Sequence, residues 1–172
     1  MLTSAKKIYI QYYKAFETEF IIGSYEDDLC LLDYRFRKNR EGVDRRLQKG
    51  LNATYIQENS EVITKTIKQL EAYFLGKRKS FDIKRLTVGT DFQKSVWSAL
   101  EKIPYAQTAS YLSLAKKIGN EKAVRAVANA NGANAISIII PCHRIIGTNG
   151  KLTGYAGGLE IKEKLLNLEK LK

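Results

Sequence analysis

The sequence is poor in residues that staple, ligate or interrupt a chain. Its 172 residues include two cysteines, one histidine, two prolines, one methionine and one tryptophan. The cysteines, Cys30 and Cys142, lie far apart and make no disulfide framework. A single histidine, His143, leaves no Cys/His zinc cluster to assemble. No apolar run approaches the ~18 residues of a membrane span. Met1 to Lys7 lacks the apolar core and cleavage site of a secretory leader. The expectation is a soluble, cytoplasmic protein with reduced thiols, no metal, no cofactor and no membrane partner. Acid is scarce as well. Eighteen Asp and Glu face 29 Lys and Arg, giving a net charge of +11. That surplus runs through both halves and suits a polyanion, nucleic acid first. A merely basic protein is the plainer alternative.

What is present suffices for a packed core, at 44% hydrophobic residues. Ile8 to Phe16, Phe20 to Tyr25 and Asp28 to Phe36 are dense in β-branched and aromatic side chains and read as strands. Arg37 to Gly50, highly charged, reads as a loop with a short helix. Ser60 to Leu75 spaces Val62, Ile63, Ile67, Leu70, Tyr73 and Phe74 as a helix does, with Gly76 as its stop. Phe81 to Val88 reads as one more extended segment. This part is expected to be an α/β unit with mostly antiparallel strands.

Beyond Gly89 the character changes. Asp91 to Ile103 reads as a helix ended by Pro104. Ser110 to Ile118 reads as a second, with Ser110 as N-cap. Glu121 to Asn131, rich in alanine, follows the turn Gly119-Asn120 as a third. Two short helices about such a turn form a helix-turn-helix pattern. Ile136 to Ile140 reads as a buried strand. Gly147 to Gly158 holds five glycines in twelve residues and reads as loop. Leu159 to Leu171 reads as a closing amphipathic helix. Domains of 1–87 and 88–172 are expected.

The chemistry concentrates in Pro141-Cys142-His143-Arg144. A thiolate is the nucleophilic form of cysteine, and nearby positive charge or a base favours it. At the end of a strand, neighbouring side chains point to opposite faces. His143 would then reach Cys142 through a bridging water. The imidazole needs an acid to fix its tautomer, and Glu160, Glu163 and Glu169 of the last helix are candidates. The competing reading makes Cys142 a small buried hydrophobe and His143 structural. Cys30, with no basic neighbour until Arg35, reads as core.

Pro141-Cys142-His143-Arg144-Ile145-Ile146 resembles the active-site signature of the O6-alkylguanine-DNA alkyltransferases, also called methylated-DNA–protein-cysteine methyltransferases. Phe92 to Trp97, Ile103-Pro104-Tyr105, Ser110-Tyr111, Arg125-Ala126-Val127, Asn134 and Gly154 to Leu159 with Lys162-Glu163 and Glu169 match in order. The resemblance thus covers most of residues 90–170, and is looser at Glu71 to Phe74. It implies an α+β chain: a ribonuclease-H-like amino-terminal domain, then a mainly helical, winged-helix-like DNA-binding domain. It implies irreversible, single-turnover transfer of a methyl or larger alkyl group to Cys142 from O6-alkylguanine, and also O4-alkylthymine. The partner would be double-stranded DNA, bound through the minor groove by a monomer acting on chromosomal DNA. His143 would be the base, Glu169 its holder and Asn134 a brace. Tyr111, the Ile145 carbonyl, Tyr155 and the amide near Ala156 would hold the base. Arg125 would fill the gap that the rotated base leaves, beside Ala123 and Ala126, with Ser110 and Lys122 at the backbone. Ala156 departs from the serine common in relatives, and Ala106 from a glycine. Two rivals remain: a relative without chemistry, in which another residue replaces the cysteine, and a winged-helix transcription factor. Neither needs Cys142, His143 and Glu169 together.

Overall fold

The computed structural model describes residues 4–171, so residues 1–3 of the Met1–Lys7 segment lie outside it. Three strands, β1 (Lys6–Ala15), β2 (Thr18–Tyr25) and β3 (Asp28–Tyr34), form an antiparallel meander. A short β4 (Ala53–Ile56) adds in parallel to β1, for a sheet order β3-β2-β1-β4. Alternation along β2, and along β3 on either side of a bulge at Cys30 opposite Gly23 and Ser24, sorts their side chains onto two faces. Ile21, Cys30 and Leu31 face one way, onto Val43 and Leu47 of helix α1 (Arg40–Leu51). Phe20, Ile22, Leu29, Leu32 and Tyr34 face the other, onto Ile63, Leu70 and Tyr73 of α2 (Glu61–Phe74) and onto the carboxy-terminal half.

That half contains α3 (Asp91–Glu101), β5 (Ala109–Ser110), α4 (Tyr111–Lys117), α5 (Val124–Gly132), β6 (Ile145–Ile146) and α6 (Leu159–Lys170). Its interior is continuous with the sheet: Trp97, Leu100, Val127, Cys142, Ile145 and Leu165 share one buried cluster with the β2 and β3 residues. The elements form a mixed α+β fold, and among the described residues no helix is long and apolar enough to cross a membrane.

Local signals explain most of the helices. Ser60, Thr90 and Ser110 cap α2, α3 and α4 by accepting from backbone amides, and Thr90 with Gln93 completes a capping box. Gly119, at φ 80°, makes the turn between α4 and the next helical segment. Three departures from the sequence reading have physical causes. Arg37 to Gly50 is mostly one twelve-residue helix. Two of its arginines have tertiary partners: Arg40 binds Asp33 of β3, besides Asp44 one turn along the same helix, and Arg46 donates to the Ala133 carbonyl beyond α5. Phe81 to Val88 is not a strand. It meets β3 at the single bridge Leu29–Arg85.

The third departure matters most. Ile136 to Ile140 is a series of turns, not a strand. Ile136 makes one bridge to Leu32, with Leu32 donating to Ala135 O at 2.8 Å and Ser137 donating to Leu32 O at 2.7 Å. The chain then reverses at Ile138, whose φ of 72° is rare and costly for a β-branched residue. Glu121 to Asn131 likewise splits into a 3-10 turn, Glu121–Ala123, and α5 proper.

Candidate active site

Cys142 lies on one turn of 3-10 helix, Cys142–Arg144, so it is not delivered by a strand end. The turn is made by its surroundings. Asn134 donates through Nδ2 to the carbonyls of Ile140 (2.8 Å) and Ile136 (3.3 Å), while its Oδ1 accepts from the Ile136 amide (3.0 Å). One buried carboxamide thus clamps the strained segment that leads into the cysteine. Downstream, β6 pairs in parallel with β5, Ala109 against Ile145 and Ser110 against Ile146. This ladder sets Tyr111, the first residue of α4, beside the cysteine turn.

His143 and Glu169 are both fully enclosed, and Nε2 of His143 is 2.8 Å from Oε1 of Glu169. Burial disfavours a charge on Glu169. Hydrogen bonds from His143 and Arg144 outweigh it and hold the carboxyl down at about 2. Glu169 is therefore a carboxylate, which only accepts, so Nε2 must carry the proton. Burial also lowers the imidazole below its ordinary 6.5, against the pull of Glu169. The ring is then neutral, with a bare lone pair on Nδ1, and Nδ1 has no hydrogen-bond partner among the described residues. A buried acceptor without a donor is costly in a purely structural histidine. It suits one that receives a proton.

Glu169 gathers more than the histidine. Arg144 reaches it through Nη2 (2.8 Å) and Nε (3.0 Å), and spends Nη1 on the Ile103 carbonyl (2.7 Å). Tyr73 donates to the same carboxylate at 2.8 Å. The guanidinium nearest to Cys142 in sequence is thus committed to Glu169. The thiol itself is 3% exposed, and burial pushes it up, partly offset by the Asn134 carboxamide and the charges of Lys162 and Arg37. A permanently ionised thiolate, made by adjacent positive charge, is not what this site builds. It builds a buried thiol, pushed up by burial, next in sequence to a buried imidazole that burial pushes down.

Lys162 is fully buried, and its Nζ donates to the carbonyls of Ile145 and Thr153. It pins the end of the glycine-rich segment to the cysteine turn and uses one lone pair of the Ile145 carbonyl. The Cys142 carbonyl accepts from Asn131 Nδ2 at 3.5 Å. Tyr111 hydrogen-bonds Thr153 Oγ1 at 2.9 Å, and Tyr155 hydrogen-bonds Tyr34 at 2.7 Å. Tyr111, Tyr155 and Ala156 all pack against the buried cluster that holds Cys142.

The residues singled out from sequence therefore fall into two groups. Cys142, His143, Glu169, Asn134, Tyr111, Ile145, Tyr155 and Ala156 come together. Arg125 and Ala126, on the first turn of α5, and Lys122 just before it are exposed, while Ala123 is half-buried. Ser110 uses its hydroxyl to cap α4, accepting from the Ser113 amide at 3.0 Å. Lys116 and Lys117 add exposed charge at the end of α4. Sequence reading did not assign Tyr73, Lys162 or Tyr34 to the site. A lysine or tyrosine on an amphipathic element gives no sign that its polar end turns inward. A surface cavity of about 1030 Å³ is lined by β1, α1 and β4 residues such as Lys6, Asp44 and Lys49 and does not include Cys142.

A family model described as 6-O-methylguanine DNA methyltransferase, DNA binding domain, matches residues 91–171. A methylated-DNA–protein-cysteine methyltransferase of Methanosarcina acetivorans is 62% identical over 112 residues, covering 65% of this chain and 72% of that protein. The constitutive methylated-DNA–protein-cysteine methyltransferase of Bacillus subtilis is 42% identical over 166 residues, 94% of this chain and 97% of its own length. The crystal structure of an O6-methylguanine methyltransferase from Mycobacterium tuberculosis superposes with a TM-score of 0.80 at 37% identity, covering 95% and 93% of the two chains. A crystal structure of Mycobacterium tuberculosis OGT in complex with DNA gives 0.80 at 38% identity, covering 94% and 92%.

Proposed function

This chain belongs to the methylated-DNA–protein-cysteine methyltransferase family, and from that premise we propose that it repairs DNA by moving an alkyl group from O6-alkylguanine to Sγ of Cys142, once per molecule. The observation that carries the reading is the enclosed His143, with Nε2 2.8 Å from Oε1 of Glu169 and Nδ1 without a hydrogen-bond partner among the described residues. His143 takes the thiol proton, directly or through one water. Sγ attacks the alkyl carbon, the carbon–O6 bond breaks, and its electron pair returns to the purine, which gains a proton and becomes guanine. Tyr111 donates to ring N3 as that charge arrives, exchanging its resting bond to Thr153 for one to the base. The amide near Ala156 serves O6, and the carbonyls of Cys142 and Ile145 serve the exocyclic amine.

The thioether left on Cys142 is a poor leaving group. Cys30, the only other cysteine, faces the opposite side of the sheet and is pushed up to about 12 by burial. No thiol is placed to regenerate the first. A single-turnover titration tests the reading. Repair of a duplex holding O6-methylguanine should stop at one lesion per chain. Repair that continues past that point would refute it.

The site is buried, so the base must leave the stack to reach it, at a cost of a few kcal/mol. Arg125 is exposed on α5 and long enough to occupy the gap. Ala123 and Ala126 keep the helix slim for the minor groove, and Lys116, Lys117 and Lys122 are placed for phosphates. Reading of base edges is then weak, as scanning for lesions requires. Arg125→Ala should slow transfer on duplex DNA by roughly tenfold or more. Its reaction with free O6-alkylguanine should stay at the wild-type rate, because no stack is opened; an equal loss on both substrates would remove Arg125 from this role.

A second prediction concerns pH. The lowered His143 value keeps the base neutral below the ordinary 6.5. The transfer rate should stay level as pH falls through 6.5 and drop only at lower values. A break at 6.5 itself would show an unperturbed imidazole. Two domains (1–87 and 88–172), with ribonuclease-H-like and winged-helix-like architectures, monomeric action, a cytoplasmic setting and acceptance of O4-alkylthymine belong to the same proposal.

A further inference from the structure

The amino-terminal sheet supplies no residue to the chemistry described so far, yet one of its side chains ends inside the site. Tyr34 closes β3 and is 3% exposed. Its ring stacks at a tilt on Phe20, with centroids 5.1 Å apart, which fixes the ring from below. Its hydroxyl lies 2.7 Å from that of Tyr155, 121 residues further along the chain, and the two rings meet edge to face at 5.4 Å. The same ring covers Gly157 so closely that a Cβ there would sit 2.6 Å from two ring carbons. Gly157 is therefore glycine because Tyr34 occupies the space of any side chain. Burial lifts both phenols well above 10, so the hydroxyl pair stays neutral, and Tyr34 lies in the same core cluster as Cys142, with Tyr155 packed against it.

Resting on the alkyl-transfer reading above, we propose that Tyr34 is a positioning residue for the reaction: its hydroxyl holds Tyr155, and its ring seats Gly157, so that the glycine-rich segment meets the base in one geometry. The glycines give Gly154–Gly158 freedom, which the reaction cannot use. The segment is tied at one end by Tyr111 and Lys162 through Thr153. When the base takes Tyr111, that tie loosens. The Tyr34 anchor does not change, and it keeps the Ala156 amide and the Tyr155 ring in place during transfer. The amino-terminal sheet thereby acquires a task in the chemistry.

The test is a double-mutant cycle on the full chain with a duplex carrying one O6-methylguanine. Tyr34→Phe keeps the ring and removes the hydroxyl; Tyr155→Phe removes the other half of the same bond. Rates are measured against protein concentration, so that the saturated rate separates from half-saturation. Tyr34→Phe should lower the saturated rate about fivefold, the worth of one neutral hydrogen bond. Half-saturation and affinity for undamaged duplex should not move, which a general loosening of the fold would not allow. The double variant should be no slower than the slower single, since either change removes the same bond. A Tyr34→Phe chain as fast as wild type, or losses that multiply in the double variant, would overturn the proposal while leaving alkyl transfer intact. A wild-type chain that transfers nothing would instead overturn the reading beneath it.

Discussion

Cys142→Ala should abolish alkyl transfer altogether while the protein still folds and binds duplex DNA. The loss is expected to be complete because nothing can substitute for the missing sulfur. Cys30 is 1% exposed, donates weakly to the Gly23 carbonyl at 3.6 Å, and stays protonated with a value of about 12. The substitution deletes one buried sulfur, so the structural cost should be about 1 kcal/mol. It leaves the Asn134 clamp, the His143–Glu169 pair and the exposed face of α5 untouched. Binding to a lesion-bearing duplex should therefore remain within a factor of about two of wild type, well inside the tenfold that 1.4 kcal/mol represents. Residual transfer to another residue of the variant, detected by peptide mass, would assign the acceptor elsewhere.

Glu169→Gln should damage both rate and stability. Glu169 is the shared partner of His143, Arg144 and Tyr73, all enclosed. A neutral amide cannot compensate the Arg144 guanidinium, which stays buried. Breaking a buried pair in this way costs about 3–5 kcal/mol, or about 10 °C in thermal midpoint for a chain of this size. The amide also no longer demands a proton on Nε2, so the tautomer with a bare Nδ1 loses its advantage. Transfer should fall about a hundredfold, the lower range for loss of a positioned base. The stability loss carries its own pH signature. The folded value of Glu169, about 2, lies below its ordinary 4.5, so its contribution is full above 4.5 and fades as pH falls toward 2. Wild type and variant should accordingly converge in stability across that interval. A gap that stays constant down to pH 2 would mean that folding does not lower the Glu169 value.

The sequence made some of this legible and hid the rest for identifiable reasons. The β-branched and aromatic density of β2 and β3, the Ser110 cap of α4 and the Gly119 turn are local signals, and the structure follows them. The family resemblance draws Cys142, His143 and Glu169 together, where the residues alone leave Glu160, Glu163 and Glu169 as alternatives. The geometry of their meeting was not legible. Ile136 to Ile140 has the composition of a strand, but it turns, because Asn134 and the edge of β3 claim its backbone groups and force Ile138 to positive φ. Helix α1 shows only Val43 and Leu47 as a buried stripe, and its Arg40 and Arg46 are held by Asp33 and by the Ala133 carbonyl beyond α5. Lys162 looks like the solvent side of an amphipathic helix until two carbonyls are brought to it. The Tyr34–Tyr155 contact spans 121 residues, and no local pattern encodes it.

The most direct measurement is the mass of the chain after prolonged incubation with excess O6-methylguanine duplex, followed by digestion. A single methyl on the peptide containing Cys142, none on Cys30, and guanine restored in equal amount is the predicted result. Lesion lost in excess of protein, with the Cys142 sulfur unmodified, would contradict it.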